Sequence, residues 1–162
     1  MAEQRKRLTG LVRGEAAGSC ETLDEPAARA FWSRHDEVRT TAALRAKLTA
    51  MPAHVERIAS EILPGLLATL GRPGFLWYAT LGLGFLAGSP EDADSAARSL
   101  LAARERVAGL GGTLILQAAP SAIRERVDVW GPPPPALPLM QSVKSRLDSE
   151  ARLAPGRFVG GI

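Results

Sequence analysis

Ala43-Leu44-Arg45-Ala46-Lys47-Leu48-Thr49-Ala50 is the stretch on which the fold turns. Leu44, Ala46, Leu48 and Ala50 fall on one side, and Arg45, Lys47 and Thr49 on the other. That two-residue period marks a strand with one buried face. Pro52 then suits the first position of a helix, and Val55, Ile58, Ala59 and Ile62 recur at helical spacing. The helix is expected to bend or restart at Pro64, before the turn Gly71-Arg72-Pro73-Gly74.

Phe75 to Leu86 alternates bulky and small side chains and is expected to form one twelve-residue strand. Gly82 and Gly84 would mark a bulge, or a close approach by a ligand or a second backbone. Ser89-Pro90-Glu91-Asp92 resembles a capping box with Ser89 as the cap. Ala93, Ala97, Leu100, Val107 and Leu110 form the inner stripe of the helix that follows, which Gly109, Gly111 and Gly112 end. Thr113 to Gln117 is a short β-branched strand closed by Pro120, and a helix is expected from Gln141 to Asp148. Upstream, the pattern gives a helix over Ala2–Val12, a strand over Ser19–Leu23, and a helix opening at Glu25-Pro26 with Phe31-Trp32 as its apolar anchor.

From residue 43 the order is therefore strand, helix, strand, helix, strand, helix. It fits an α+β plait, a ferredoxin-like antiparallel sheet covered by helices on one face. The alternative is a doubly wound Rossmann fold. No Gly-x-Gly-x-x-Gly follows a strand, and Gly82-Leu83-Gly84 lies within an apolar strand rather than before a helix.

At 162 residues, 46% hydrophobic and 23% charged, the chain is expected to form one globular domain over residues 1–162. A net charge of +3, with arginines scattered among acids, gives no stripe for nucleic acid. Arg5-Lys6-Arg7 reads as a solvated helix face. The single cysteine, Cys20, forms no internal disulfide, and the absence of a secretory pattern points to the cytoplasm. The longest uncharged run, Pro73 to Pro90, has an apolar part too short for the roughly 20 residues of a membrane span.

His35 and His54 lack companions at metal-ligand spacing, so no zinc site is expected. Ser89 and Ser121 read as helix caps rather than nucleophiles. Arg45 and Lys47 lie about 7 Å apart on one strand face, where both cations can meet one carboxylate or merely guard a solvated edge. Tyr78 offers a hydroxyl or fills the core.

The last 35 residues carry a more specific pattern. Leu139-Met140, Val143-Lys144, Leu147-Asp148, Leu153 and Pro155-Gly156-Arg157-Phe158-Val159-Gly160-Gly161 resemble the C-terminus of FAD-linked oxidases of the vanillyl-alcohol-oxidase type, in particular the FAD-binding subunit of glycolate oxidase. Leu110 to Pro120, Phe31-Trp32 and the Leu44-to-Pro52 strand are similar to further segments of that family. Ser149 stands where the family usually has Pro, and Ala154 where it usually has Asn.

The resemblance implies a substrate or cap domain whose sheet roofs a flavin. FAD is the cofactor, a 2-hydroxy acid such as glycolate the substrate, and an FAD-binding domain or subunit and an iron-sulfur subunit are the partners. It implies that Arg45, Lys47 and Tyr78 face the substrate and that Pro155, Gly156 and Arg157 approach the cofactor. It also implies that the chain opens inside the cap domain without the FAD-binding domain, and that alone it is inactive and holds no FAD. A rival from another class is a non-catalytic, ferredoxin-like protein-interaction domain that uses Pro132–Pro135 as a polyproline II segment.

Overall fold

The computed structural model describes residue 3 and residues 21–162. Its contacts divide the chain into two units, residues 1–34 and 35–162. The expected helix over Ala2–Val12 lies outside the described residues apart from Glu3. The expected strand at Ser19–Leu23 falls partly outside them, and Glu21–Leu23 have no regular structure.

Helix α1, Glu25–Thr40, opens where Glu25-Pro26 predicts. The Asp24 carboxylate caps it by accepting from the Ala27 amide at 2.9 Å. None of its residues is buried. Phe31 and Trp32 pack edge-on with ring centres 5.3 Å apart, and at 46% and 58% exposed neither belongs to the buried core cluster of the described residues.

Strand β1, Leu44–Thr49, has the burial alternation its sequence demands. Residues 52–67 form α2, a helix of mixed pitch. Its first turn is Pro52–His54, and a π turn spans Ile58–Ile62, closed by the Leu63 amide donating to the Ile58 carbonyl. Proline has no N–H to continue the ladder and its ring crowds the preceding turn, so widening by one residue just ahead of Pro64 relieves the clash. The expected restart takes this form.

The twelve-residue strand is instead a hairpin, β2 (Gly74–Tyr78) and β3 (Leu83–Gly88), paired antiparallel with Trp77 opposite Gly84. Gly82 makes the reversal possible. It sits at φ +59, and a Cβ there would lie 1.9 Å from the Ala50 carbonyl oxygen. The Gly82 carbonyl in turn accepts from the Ala50 amide at 2.9 Å, which locks the hairpin to the end of β1.

Helix α3, Ala93–Gly109, is capped by Asp92 and not by Ser89. The Asp92 carboxylate accepts from the amides of Asp94 and Ser95, while the Ser89 amide is spent on the Leu70 and Gly71 carbonyls. Strand β4 (Thr113–Ala118), a short α4 (Ser121–Arg124, without a side-chain cap) and α5 (Leu137–Leu147) complete the elements.

The sheet is wholly antiparallel in the order β2-β3-β1-β4, giving a mixed α+β architecture. Leu44, Ala46, Leu48, Leu86, Leu114 and Leu116 join Ile58, Ile62 and Leu66 of α2 and Leu100 and Val107 of α3 in one core. The opposite face is not bare. Val38 of α1 lies against Gly74, and the Arg39 guanidinium sits 4.8 Å above the Phe85 ring.

The outer edge of β4 is covered as well. Arg104, only 8% exposed, donates from Nε to the Leu114 carbonyl at 2.9 Å, and the Leu116 amide donates to the Val129 carbonyl at 2.7 Å. Burial pulls the Arg104 guanidinium below its ordinary value, and nearby Asp128 opposes that. Gly131, at φ +84, lets the chain pass where a Cβ would be 3.1 Å from Arg104 Nε.

Gly82→Ala forces an L-residue into the left-handed region and drives its Cβ into the β1 terminus. It is expected to cost at least about 2 kcal/mol in urea unfolding, more than the same change at the unobstructed, helix-ending Gly109.

Candidate functional site

The sheet face opposite the core gathers the substrate-side residues expected from sequence. Arg45 and Lys47 project from β1 and Tyr78 from β2. The ladders set Lys47 beside Phe85 and Leu76 in one row, and Thr49 beside Leu83 and Tyr78 in the next. Lys47 and Tyr78 thus lie two strands and one row apart, about 12 Å between Cα atoms, and the Phe85 ring, edge-on to Tyr78 with ring centres 5.9 Å apart, stands on the strand between them.

The three residues differ in how much of their chemistry remains open. Arg45 donates from Nη1 to the Arg39 and Thr40 carbonyls at 3.0 and 2.9 Å, satisfying the exposed C-terminal end of α1. Its Nε is buried without a hydrogen-bond partner among the described residues. Lys47 is half-buried and makes no ion pair among the described residues.

Tyr78 Oη lies 2.6 Å from His35 Nε2, and His35 Nδ1 lies 3.0 Å from the Asp36 carboxylate. A carboxylate only accepts, so Nδ1 carries a proton. In the neutral ring Nε2 then accepts from the phenol. Carboxylate, imidazole and phenol form a line that can pass a proton from the sheet face towards α1. Nothing in the local sequence marks this pairing of His35, whose partner is 43 residues away. Among the described residues no group of three His, Cys, Asp or Glu side chains is placed to hold a metal ion, and no helix is long and apolar enough to cross a membrane.

The expected cofactor-side residues, Pro155, Gly156 and Arg157, occupy an exposed turn after α5. Gly156 adopts φ +70, and the Arg157 carbonyl accepts from Trp130 Nε1 at 3.2 Å. Trp130 also meets Phe158 edge-on, 4.9 Å between ring centres. Gly156 and Arg157 line a cavity of about 740 Å³ with the end of β4, Arg124 and Trp130.

The turn is held by a clasp made of residues that carry the C-terminal pattern. The Asp148 carboxylate accepts from Lys144 Nζ at 2.6 Å and from the Arg152 and Leu153 amides at 2.8 and 2.9 Å, and Lys144 Nζ also donates to the Leu153 carbonyl. The Lys144 hydrogen bond, followed by that of the Leu153 amide, holds the Asp148 carboxyl below its ordinary value. Ala154, which stands where the resembling family usually has Asn, has φ +44, a region that Asn tolerates better than Ala.

Compared with known proteins, the chain matches no family model, no curated protein and no solved structure.

Two predictions come from the clasp. Because the folded Asp148 pKa is lowered, its stabilisation is complete above the unfolded value near 3.9 and is lost as pH falls through the folded value. The melting-temperature gap between the native chain and Asp148→Asn should therefore be steady at neutral pH and close below about pH 4. Ala154→Gly should raise stability by about 1 kcal/mol in denaturant unfolding by relieving the left-handed strain, and a loss would contradict this backbone assignment.

Proposed function

We propose that this chain is the substrate-side cap domain of an FAD-dependent oxidoreductase. It would be similar to the FAD-binding subunit of glycolate oxidase, acting on a 2-hydroxy acid when joined to an FAD-binding domain or subunit. In this reading the β1-α2-β2-β3-α3-β4 order, with antiparallel strands arranged β2-β3-β1-β4, is a ferredoxin-like plait. The observation that carries it is the sheet face opposite the core. An ammonium without an ion-pair partner among the described residues, Lys47, shares that face with a phenol already hydrogen-bonded to an imidazole.

The described residues suit the substrate end of such a site. Lys47 matches a carboxylate, and Tyr78 with His35 matches a neighbouring hydroxyl. They include no glycine loop leading from a strand into a helix to cradle a pyrophosphate, so in this reading the partner domain holds the nucleotide end of FAD. The backbone at Gly156 is open to space, which allows close approach by a cofactor edge.

When bound, the flavin supplies the acceptor for the hydride leaving the carbinol carbon. This chain's residues do the positioning. Lys47 Nζ fixes the carboxylate, Tyr78 Oη meets the hydroxyl, and His35 Nε2, steadied by Asp36, takes the proton that the hydroxyl releases through the phenol. Arg45 supports the site by holding the end of α1, and its guanidinium lies on the substrate side. Electrons would leave through an iron-sulfur partner.

The test is coexpression with an FAD-binding domain of an FAD-linked oxidase. The expected result is a copurifying yellow complex whose flavin is bleached anaerobically by glycolate or another short 2-hydroxy acid. Lys47→Ala should raise the substrate constant about tenfold, since one charge-assisted hydrogen bond contributes roughly 1.5–3 kcal/mol. A complex that retains no flavin, or one whose flavin no 2-hydroxy acid bleaches, would favour the interaction-domain reading, which rests on Pro132–Pro135 as a polyproline II segment.

A further inference from the structure

Beside the C-terminal clasp runs an open groove of about 600 Å³, walled by Leu139, Met140 and Val143 of α5 and by Leu153, Phe158 and Ile162 of the tail. Its apolar walls are unusually bare. Leu139 is 67% exposed, Leu153 69% and Phe158 45%, and the stripe continues along α5 to Leu147 at 80%. Leu139, Val143 and Leu147 recur at i, i+4 and i+8, a straight ridge along a helix about 16 Å long. Contiguous apolar surface of this kind marks an interaction site.

Charge on the rim selects the occupant. From Leu137 to Ile162 the acids are Asp148 and Glu150, and both are taken, Asp148 by Lys144 and Glu150 by Arg152. Arg157 lines the groove on the tail side, and Arg146, seven residues beyond Leu139, flanks the helical ridge. Neither makes an ion pair among the described residues. An apolar floor with one uncompensated guanidinium on its wall, Arg157, and a second on the helix beside it, Arg146, complements a helix with leucine-like residues on one face and carboxylates on its flanks.

We propose that this groove is a docking surface for an amphipathic helix of a partner protein, apolar on its inner face and acidic on its flanks. The proposal stands on the groove alone and does not depend on the cap-domain reading.

The full chain tests it by fluorescence anisotropy with two labelled probes, a Leu/Glu helical peptide and its Leu/Lys counterpart, each of about 15 residues. The Leu/Glu peptide is expected to bind saturably and at least about tenfold more tightly than the Leu/Lys peptide, with the preference shrinking as salt rises. Val143→Ser and Arg157→Gln should each weaken the Leu/Glu peptide about fivefold or more. Both side chains are exposed, so unchanged melting temperatures will show that the fold survives. Equal binding of the two peptides, or no saturable binding of either, overturns the proposal. So does a dimer in sedimentation that Val143→Ser dissociates, which would make the occupant a second copy of the chain.

Discussion

Strand β1 is bonded along both edges, to β3 and to β4, so a slip of one residue in either ladder would turn every one of its side chains to the wrong face. Leu44, Ala46 and Leu48 are at most 2% exposed, and reversing them would put Arg45 and Lys47 into the core. The penalty for burying those charges fixes the register. That register aligns β3, and through it the hairpin and Tyr78. The sheet face opposite the core is thus a consequence of how β1 buries its leucines.

Two further polar ties act where hydrophobic burial does not reach. Arg104 closes the outer edge of β4 and draws in the Asp128–Gly131 turn, while Lys144 and Asp148 fold the tail back over α5. Both use a long cation to satisfy backbone carbonyls that would otherwise stay unpaired. Arg45 does the same at the end of α1, which helps explain how a charged residue can sit half-buried on a sheet face. The C-terminal pattern that supports the flavoprotein resemblance therefore also has a local structural explanation in Asp148, Lys144 and the positive-φ positions Ala154, Gly156, Gly160 and Gly161.

Much of the fold was legible because periodicity and burial agree. Leu44–Thr49 has period two, Ala93–Gly109 has a helical stripe, and Thr113–Ala118 is β-branched between Gly112 and Pro120. The hairpin was hidden because apolar residues run through its turn at Ala79 and Leu81, and Gly82 is its only punctuation. The cap of α3 was misplaced because a Ser and an Asp lie three residues apart and local sequence does not say which carboxylate or hydroxyl reaches the free amides. Of the candidate site, Arg45 and Lys47 share a face as their spacing suggests, but Tyr78 reaches that face only through the register of the hairpin, and His35 joins Tyr78 only through a contact between residues 43 apart. Arg104 looks like one more polar helix residue until β4 is laid beside it. The Lys144–Asp148 pair lies four residues apart across the C-terminal end of α5, a spacing visible in the sequence.

In the proposed function the face of β1 opposite the core receives a carboxylate. Nitrogen-15 NMR of the lysine Nζ groups, in the chain assembled with its flavin-binding partner, tests this directly. Adding glycolate should shift the Lys47 signal and leave that of Lys144, already held by Asp148 and Leu153, in place. Glycolate that reduces the flavin while the Lys47 signal stays unmoved would contradict carboxylate binding by Lys47.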